Sequence, residues 1–102
     1  MPLMDLRRPV PNSGAHRMAW VIGLAPDPAA KLKELEVLLG ANMPERLLYG
    51  DVTPGSMMTH ALWRWSGGKI TVRDFYMMTP KRWNERPLGF SRPAKALGQR
   101  AA

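Results

Sequence analysis

The chain has 102 residues, 10 prolines, 9 glycines and no cysteine, and it carries a formal charge of +7. That length holds one small domain. The lack of cysteine excludes disulfides and thiolate metal sites, and no run approaches the ~18 apolar residues of a membrane span.

The charge is unevenly placed. Between residues 19 and 79, six cations (Lys31, Lys33, Arg46, Arg64, Lys69, Arg73) meet six carboxylates (Asp27, Glu34, Glu36, Glu45, Asp51, Asp74). Residues 1–18 carry Arg7, Arg8 and Arg17 against Asp5, and residues 80–102 carry Lys81, Arg82, Arg86, Arg92, Lys95 and Arg100 against Glu85. All of the excess therefore lies in the flanks, which suits a protein that grips something acidic. Three regions are expected: a Pro-rich basic N-terminal arm (1–17), a small α+β core (18–79) and a basic Pro/aromatic C-terminal arm (80–102).

In the first arm, Pro2, Pro9 and Pro11 deny backbone donors, and Asn12-Ser13-Gly14 reads as a loop. Pro9, Pro11, Asn12 and Ser13 also stand where a secretory signal needs an apolar stretch, so a soluble, cytoplasmic protein is expected. Met18 to Leu24 is a short apolar run with a β-branched pair, followed by Pro26, and predicts a buried strand. Asp27-Pro28 opens a helix over 28–39, with Asp27 as cap and Pro28 at the first turn. Leu32, Leu35, Leu38 and Leu39 share its apolar face, and Gly40 stops it. Residues 43–50 suit either a helical turn or a short strand. Thr53-Pro54-Gly55-Ser56 reads as a type II turn.

A hairpin is predicted over 57–65 and 69–78, closed by Gly67-Gly68. In that register Trp63 and Trp65 face Val72 and Ile70, while Arg64, Thr71 and Arg73 form a basic side with Lys69 near the turn. The expected fold is an antiparallel sheet of this hairpin and the first strand, covered by the helix. Met57-Met58 and Met77-Met78 are read first as filling of its wide end and otherwise as a docking patch. Beyond Thr79 an arm without its own core is expected, with a short helix capped by Ser91 as an option.

Two surfaces emerge as candidate binding sites. The first is the C-terminal arm, where Lys81, Arg82, Arg86, Arg92, Lys95 and Arg100 neutralise phosphate while Trp83 or Phe90 stacks on a base. The opposing reading has both aromatics fold back onto the core with the charges solvated. The second is the basic hairpin face of Arg64, Lys69 and Arg73, a ribbon of the width of a major groove or an ordinary solvent face.

For catalysis the best set is His60, Tyr76, Asp74, Arg64 and Arg73, but the register splits it across two faces. There is no phosphate loop, dinucleotide fingerprint or zinc spacing, and no cofactor or metal is expected. The leading expectation is a small non-enzymatic protein that binds nucleic acid or a nucleoprotein assembly. The alternative is an inhibitor or accessory subunit on an acidic protein surface, anchored by Trp20, Trp83, Phe90 or the methionines, and the least favoured is a small RNA-cleaving toxin. No membrane partner is expected, and self-association is one way to support so small a core.

Overall fold

A computed structural model describes residues 8–90. Its regular elements are α1 (Ser13–Leu24), α2 (Pro28–Leu39), α3 (Met43–Tyr49), α4 (Ser56–Trp65) and a 3-10 helix (Val72–Tyr76). No strand forms among the described residues, so the α+β sandwich, its sheet and its hairpin are overturned. None of the described helices is long and apolar enough to cross a membrane.

The expected strand at 18–24 is the second half of α1. Asn12 caps this helix by accepting the Ala15 N–H (2.7 Å), in the stretch read as a loop. Gly14, Ala15, His16, Met18, Ala19, Trp20, Ile22 and Gly23 are all buried, so α1 is covered nearly all round. Such a helix has no polar stripe, and its apolar run cannot be told from a buried strand by periodicity. α2, α3 and the 3-10 helix pack on it. The 3-10 helix comes close at Gly14, where an added Cβ would lie 2.6 Å from the Phe75 ring.

The helix over 28–39 forms as expected. Asp27 accepts the Ala30 N–H (3.2 Å), Pro28 opens the first turn and Gly40 ends it at φ +109. Residues 43–49 are helical, closed by Gly50 in the left-handed region. Gly55 is extended (φ −77, ψ 179), which excludes a type II turn there, and its carbonyl accepts the Thr59 N–H that starts α4.

The hairpin fails because its first strand is α4. Thr59 and Leu62 are buried, while Met58, Ala61 and Trp65 are half-buried at helical spacing. Gly67 and Gly68 do adopt positive φ, but as a helix stop: the Gly68 N–H donates to the Trp63 carbonyl (2.8 Å) and the Gly67 N–H to that of Arg64 (3.2 Å). This is the Schellman closure, which satisfies the last carbonyls of a helix. Ser66 Oγ then accepts the Ile70 N–H (3.1 Å), and Thr71 and Asp74 form a reciprocal capping box that nucleates the 3-10 helix. Arg64, Lys69 and Arg73 therefore do not form a ribbon face. Of the methionine pairs, Met58 packs against the core, while Met57, Met77 and Met78 are exposed.

After the 3-10 helix the chain runs back over α1 without regular structure. Trp83 and Phe90 are 2% and 6% exposed and belong to the main core cluster. The option of a helix capped by Ser91 lies outside the described residues.

Candidate functional site

The site begins with the way Trp83 is held. Its ring meets His16 edge-on (6.3 Å between centroids), and His16 meets Trp20 likewise (6.4 Å). Trp20 in turn meets Phe90 (6.1 Å), so two side chains of α1 and two of the returning chain form one aromatic cluster. Buried indole N–H groups require acceptors. Trp20 Nε1–H donates to the Trp83 carbonyl (2.7 Å), and Trp83 Nε1–H donates to the Arg8 carbonyl (2.9 Å). The second bond ties the N-terminal segment to the returning segment.

The N-terminal segment is fixed from its other side by α3. The Arg8 guanidinium lies over the Tyr49 ring at 4.0 Å, a cation–π contact. Pro11 lies against Gly50, where a Cβ would come within 2.6 Å of its ring.

Between the two segments opens a groove of about 610 Å³, lined by Arg8, Pro9, Val10, Thr79, Pro80, Lys81, Arg82 and Trp83. Three cations line it and no carboxylate does among the described residues. The side of the groove carrying Lys81 and Arg82 is shaped by local bonds. Glu85 accepts the Arg82 N–H (2.8 Å), Thr79 Oγ1 accepts the Lys81 N–H (3.2 Å), and Lys81 Nζ donates to the Arg86 carbonyl (2.9 Å).

His16 packs against Trp83, which lines this groove. It is buried, and its Nε2 has no hydrogen-bond partner among the described residues. Burial holds its pKa below the usual 6.5, and the positive charge of Lys81 acts in the same direction. Both effects favour the neutral ring.

A second cationic cluster lies where α1 meets the turn after α4. Arg17 Nη1 donates to the Lys69 carbonyl (3.0 Å), its Nε lies 3.6 Å from Asp74 Oδ1, and Lys69 Nζ donates to the Gly89 carbonyl (2.6 Å). Both charges flank the Phe90 ring, at 5.7 Å and 5.5 Å from its centroid. Arg73 is exposed in the last turn of the 3-10 helix.

Outside residues 27–65, the described chain holds seven cations (Arg8, Arg17, Lys69, Arg73, Lys81, Arg82, Arg86) and two carboxylates (Asp74, Glu85). Residues 27–65 hold four cations (Lys31, Lys33, Arg46, Arg64) and five carboxylates (Asp27, Glu34, Glu36, Glu45, Asp51).

Of the residues expected at the site, Lys81 and Arg82 line the groove and Arg86 stands exposed beside it. Lys69 belongs to the second cluster, and Arg73 stands exposed on the 3-10 helix. Arg64 is separated from them, lining a groove between α2 and α4 opposite Glu34. Trp83 and Phe90 are core residues, which leaves neither ring open for base stacking; Trp20 is likewise fully buried. Arg92, Lys95 and Arg100 lie outside the described residues. Arg8 and Arg17 were not singled out from sequence. Only their sign gave a hint, because the contacts that place them join distant parts of the chain.

The set weighed for catalysis does not assemble. His60 is exposed on α4 and stacks on Trp63 (6.0 Å, 20° between planes), whereas Asp74 serves the capping box and faces Arg17. Among the described residues no group of three or more histidines, cysteines or acids is placed to hold a metal ion. No protein-family model matches this chain, and no curated protein or solved structure matches it either.

Proposed function

We propose that this protein is a non-enzymatic binding protein whose ligand is a polyanion, nucleic acid by class, seated in the groove between residues 8–10 and 79–83. The observation that carries this reading is that Arg8, Lys81 and Arg82 line one groove with no carboxylate among its described lining residues. Protein cations displace the counterions condensed on a phosphate backbone, and release of those counterions drives association. Arg86 extends the surface at one end, and Arg92, Lys95 and Arg100 add three further charges in the sequence that follows. The buried Trp83 supports the groove instead of stacking on a base, so contacts to phosphate dominate and sequence preference is weak.

The test is equilibrium binding of the full chain to generic single-stranded and duplex DNA and RNA across a salt series. Affinity falls steeply with salt, and replacing Arg8, Lys81 and Arg82 together by glutamine flattens the dependence by about 2 to 3 in log–log slope. Affinity indifferent to salt, or a triple variant that binds as the parent does, refutes the reading. An acidic protein surface draws on the same cations. Recovery of one stoichiometric protein that survives nuclease and high salt would favour that alternative.

A further inference from the structure

The three cations that line the groove are not held alike. Lys81 Nζ donates to the Arg86 carbonyl (2.9 Å), and Arg82 is fixed at its backbone, where its N–H donates to Glu85 (2.8 Å). Arg8 is fixed at both backbone and side chain. Its carbonyl accepts the Trp83 indole N–H (2.9 Å), and its guanidinium lies over the Tyr49 ring, 4.0 Å from the centroid. Tyr49 is the last residue of α3, and Gly50, which closes that helix, seats the ring of Pro11. The end of α3 is thus a seat for residues 8–11, with Arg8 on Tyr49 and Pro11 on Gly50. Tyr49 itself is half-buried and packs against the core, so the seat is anchored. Arginine meets an aromatic ring through its face and an oxyanion through its planar fork of N–H donors, so one contact does not consume the other.

We propose that Tyr49 is the positioning residue for Arg8, and that Arg8, so held, is the group of this groove that grips a phosphate bidentately. The proposal rests on the reading of the groove as a polyanion site and names its phosphate-gripping group. A guanidinium fork matches two oxygens of one phosphate, whereas an ammonium offers a point charge. Holding that fork on Tyr49 before the ligand arrives removes part of the ordering cost that a free side chain meets on binding. The ligand chemistry selected is therefore a phosphate with two unesterified oxygens, such as the phosphodiester of a nucleic-acid strand.

Binding of the full chain to a single-stranded thymidine oligonucleotide, at low salt and across a salt series, tests the proposal. Tyr49→Phe keeps the ring and binds within about twofold of the parent. Tyr49→Leu keeps apolar bulk but loses the ring face, and weakens binding about fivefold. In an Arg8→Gln background the same Tyr49→Leu change costs less than about twofold, because the group it positions is gone. Arg8→Lys keeps the charge and hence the salt slope, yet loses about as much affinity as Tyr49→Leu does. Arg8 is exposed, so Arg8→Lys carries the test even if Tyr49→Leu does not fold. Equal losses from Tyr49→Leu with and without Arg8, or a Tyr49→Phe as weak as Tyr49→Leu, overturn the role of Tyr49 and leave the groove reading standing. An Arg8→Lys protein that binds as tightly as the parent overturns the bidentate grip. A parent without salt-dependent binding rejects the groove reading, and this proposal with it.

Discussion

Enclosing an imidazole between two indoles disfavours its protonated form, and His16 shows the consequence at the scale of one residue. Its folded pKa lies below the 6.5 of the unfolded chain, chiefly through burial. Between those two values the unfolded chain binds a proton that the native state refuses, so stability falls as pH falls through that window. Well above pH 6.5 both states are neutral and the contribution is complete. Urea denaturation of the parent is therefore expected to shift to lower midpoint between about pH 7.5 and 5.5, and His16→Leu to flatten that shift. An equal shift in both proteins would place the sensitivity elsewhere. Gly14 illustrates a steric limit in the same helix, because any Cβ there meets three Phe75 ring carbons at 2.6–2.7 Å. Gly14→Ala should cost about 1–3 kcal/mol by overpacking. Adding Phe75→Leu should recover part of that loss, giving a non-additive pair in denaturant titrations.

At the scale of elements, the decisive fact is that one glycine pair serves two architectures. Gly67-Gly68 permits positive φ, which a tight hairpin and a helix stop both require, so the dipeptide alone cannot choose between them. Met57 to Trp65 does not resolve the choice, because nine residues satisfy alternation and a helical stripe about equally well. What decides is tertiary: Leu62 and Thr59 are covered together with Trp65 by the packed helices, which only α4 achieves. α1 was hidden for the opposite reason, lacking any polar face once Gly14, Ala15, Met18 and Ala19 were all enclosed. α2 was legible because cap, proline and glycine stop are local signals that need no partner. The candidate site divides similarly. Lys81 and Arg82 could be read from composition, but Arg8 joins them through an indole bond spanning 75 positions, beyond the reach of any local pattern. If the pair is a Schellman stop, Gly67→Ala should cost about 1 kcal/mol through its left-handed φ of +67. Gly67→Asn should cost less, since asparagine tolerates that region. The far-ultraviolet circular dichroism of both variants stays helical; a β-type spectrum in the parent would refute the helix.

For the whole molecule, the returning segment has two duties that sequence alone assigned to a single arm. Up to Phe90 it both completes the core through Trp83 and Phe90 and carries Lys81, Arg82 and Arg86, and Arg92, Lys95 and Arg100 follow in the sequence. A cut after Met78 deletes Trp83 and Phe90. Each large aromatic is worth about 3–5 kcal/mol when truncated to alanine, against a total of about 5–15 kcal/mol for a small domain. That shorter chain should therefore fail to fold cooperatively, and its loss of nucleic-acid binding would say nothing about charge. A cut after Phe90 keeps every residue of the core cluster and removes Arg92, Lys95 and Arg100, lowering the formal charge from +7 to +4. Its thermal transition should remain cooperative, and its salt dependence on single-stranded nucleic acid should lose about 0.7 in log–log slope for each of those cations that contacts phosphate. Comparing this protein with the Arg8, Lys81 and Arg82 glutamine variant apportions the polyanion contact between groove and tail. A slope unchanged by the cut assigns the contact to the groove. A slope abolished by it, with the groove variant binding normally, moves the site to the C-terminal cations and rejects the groove.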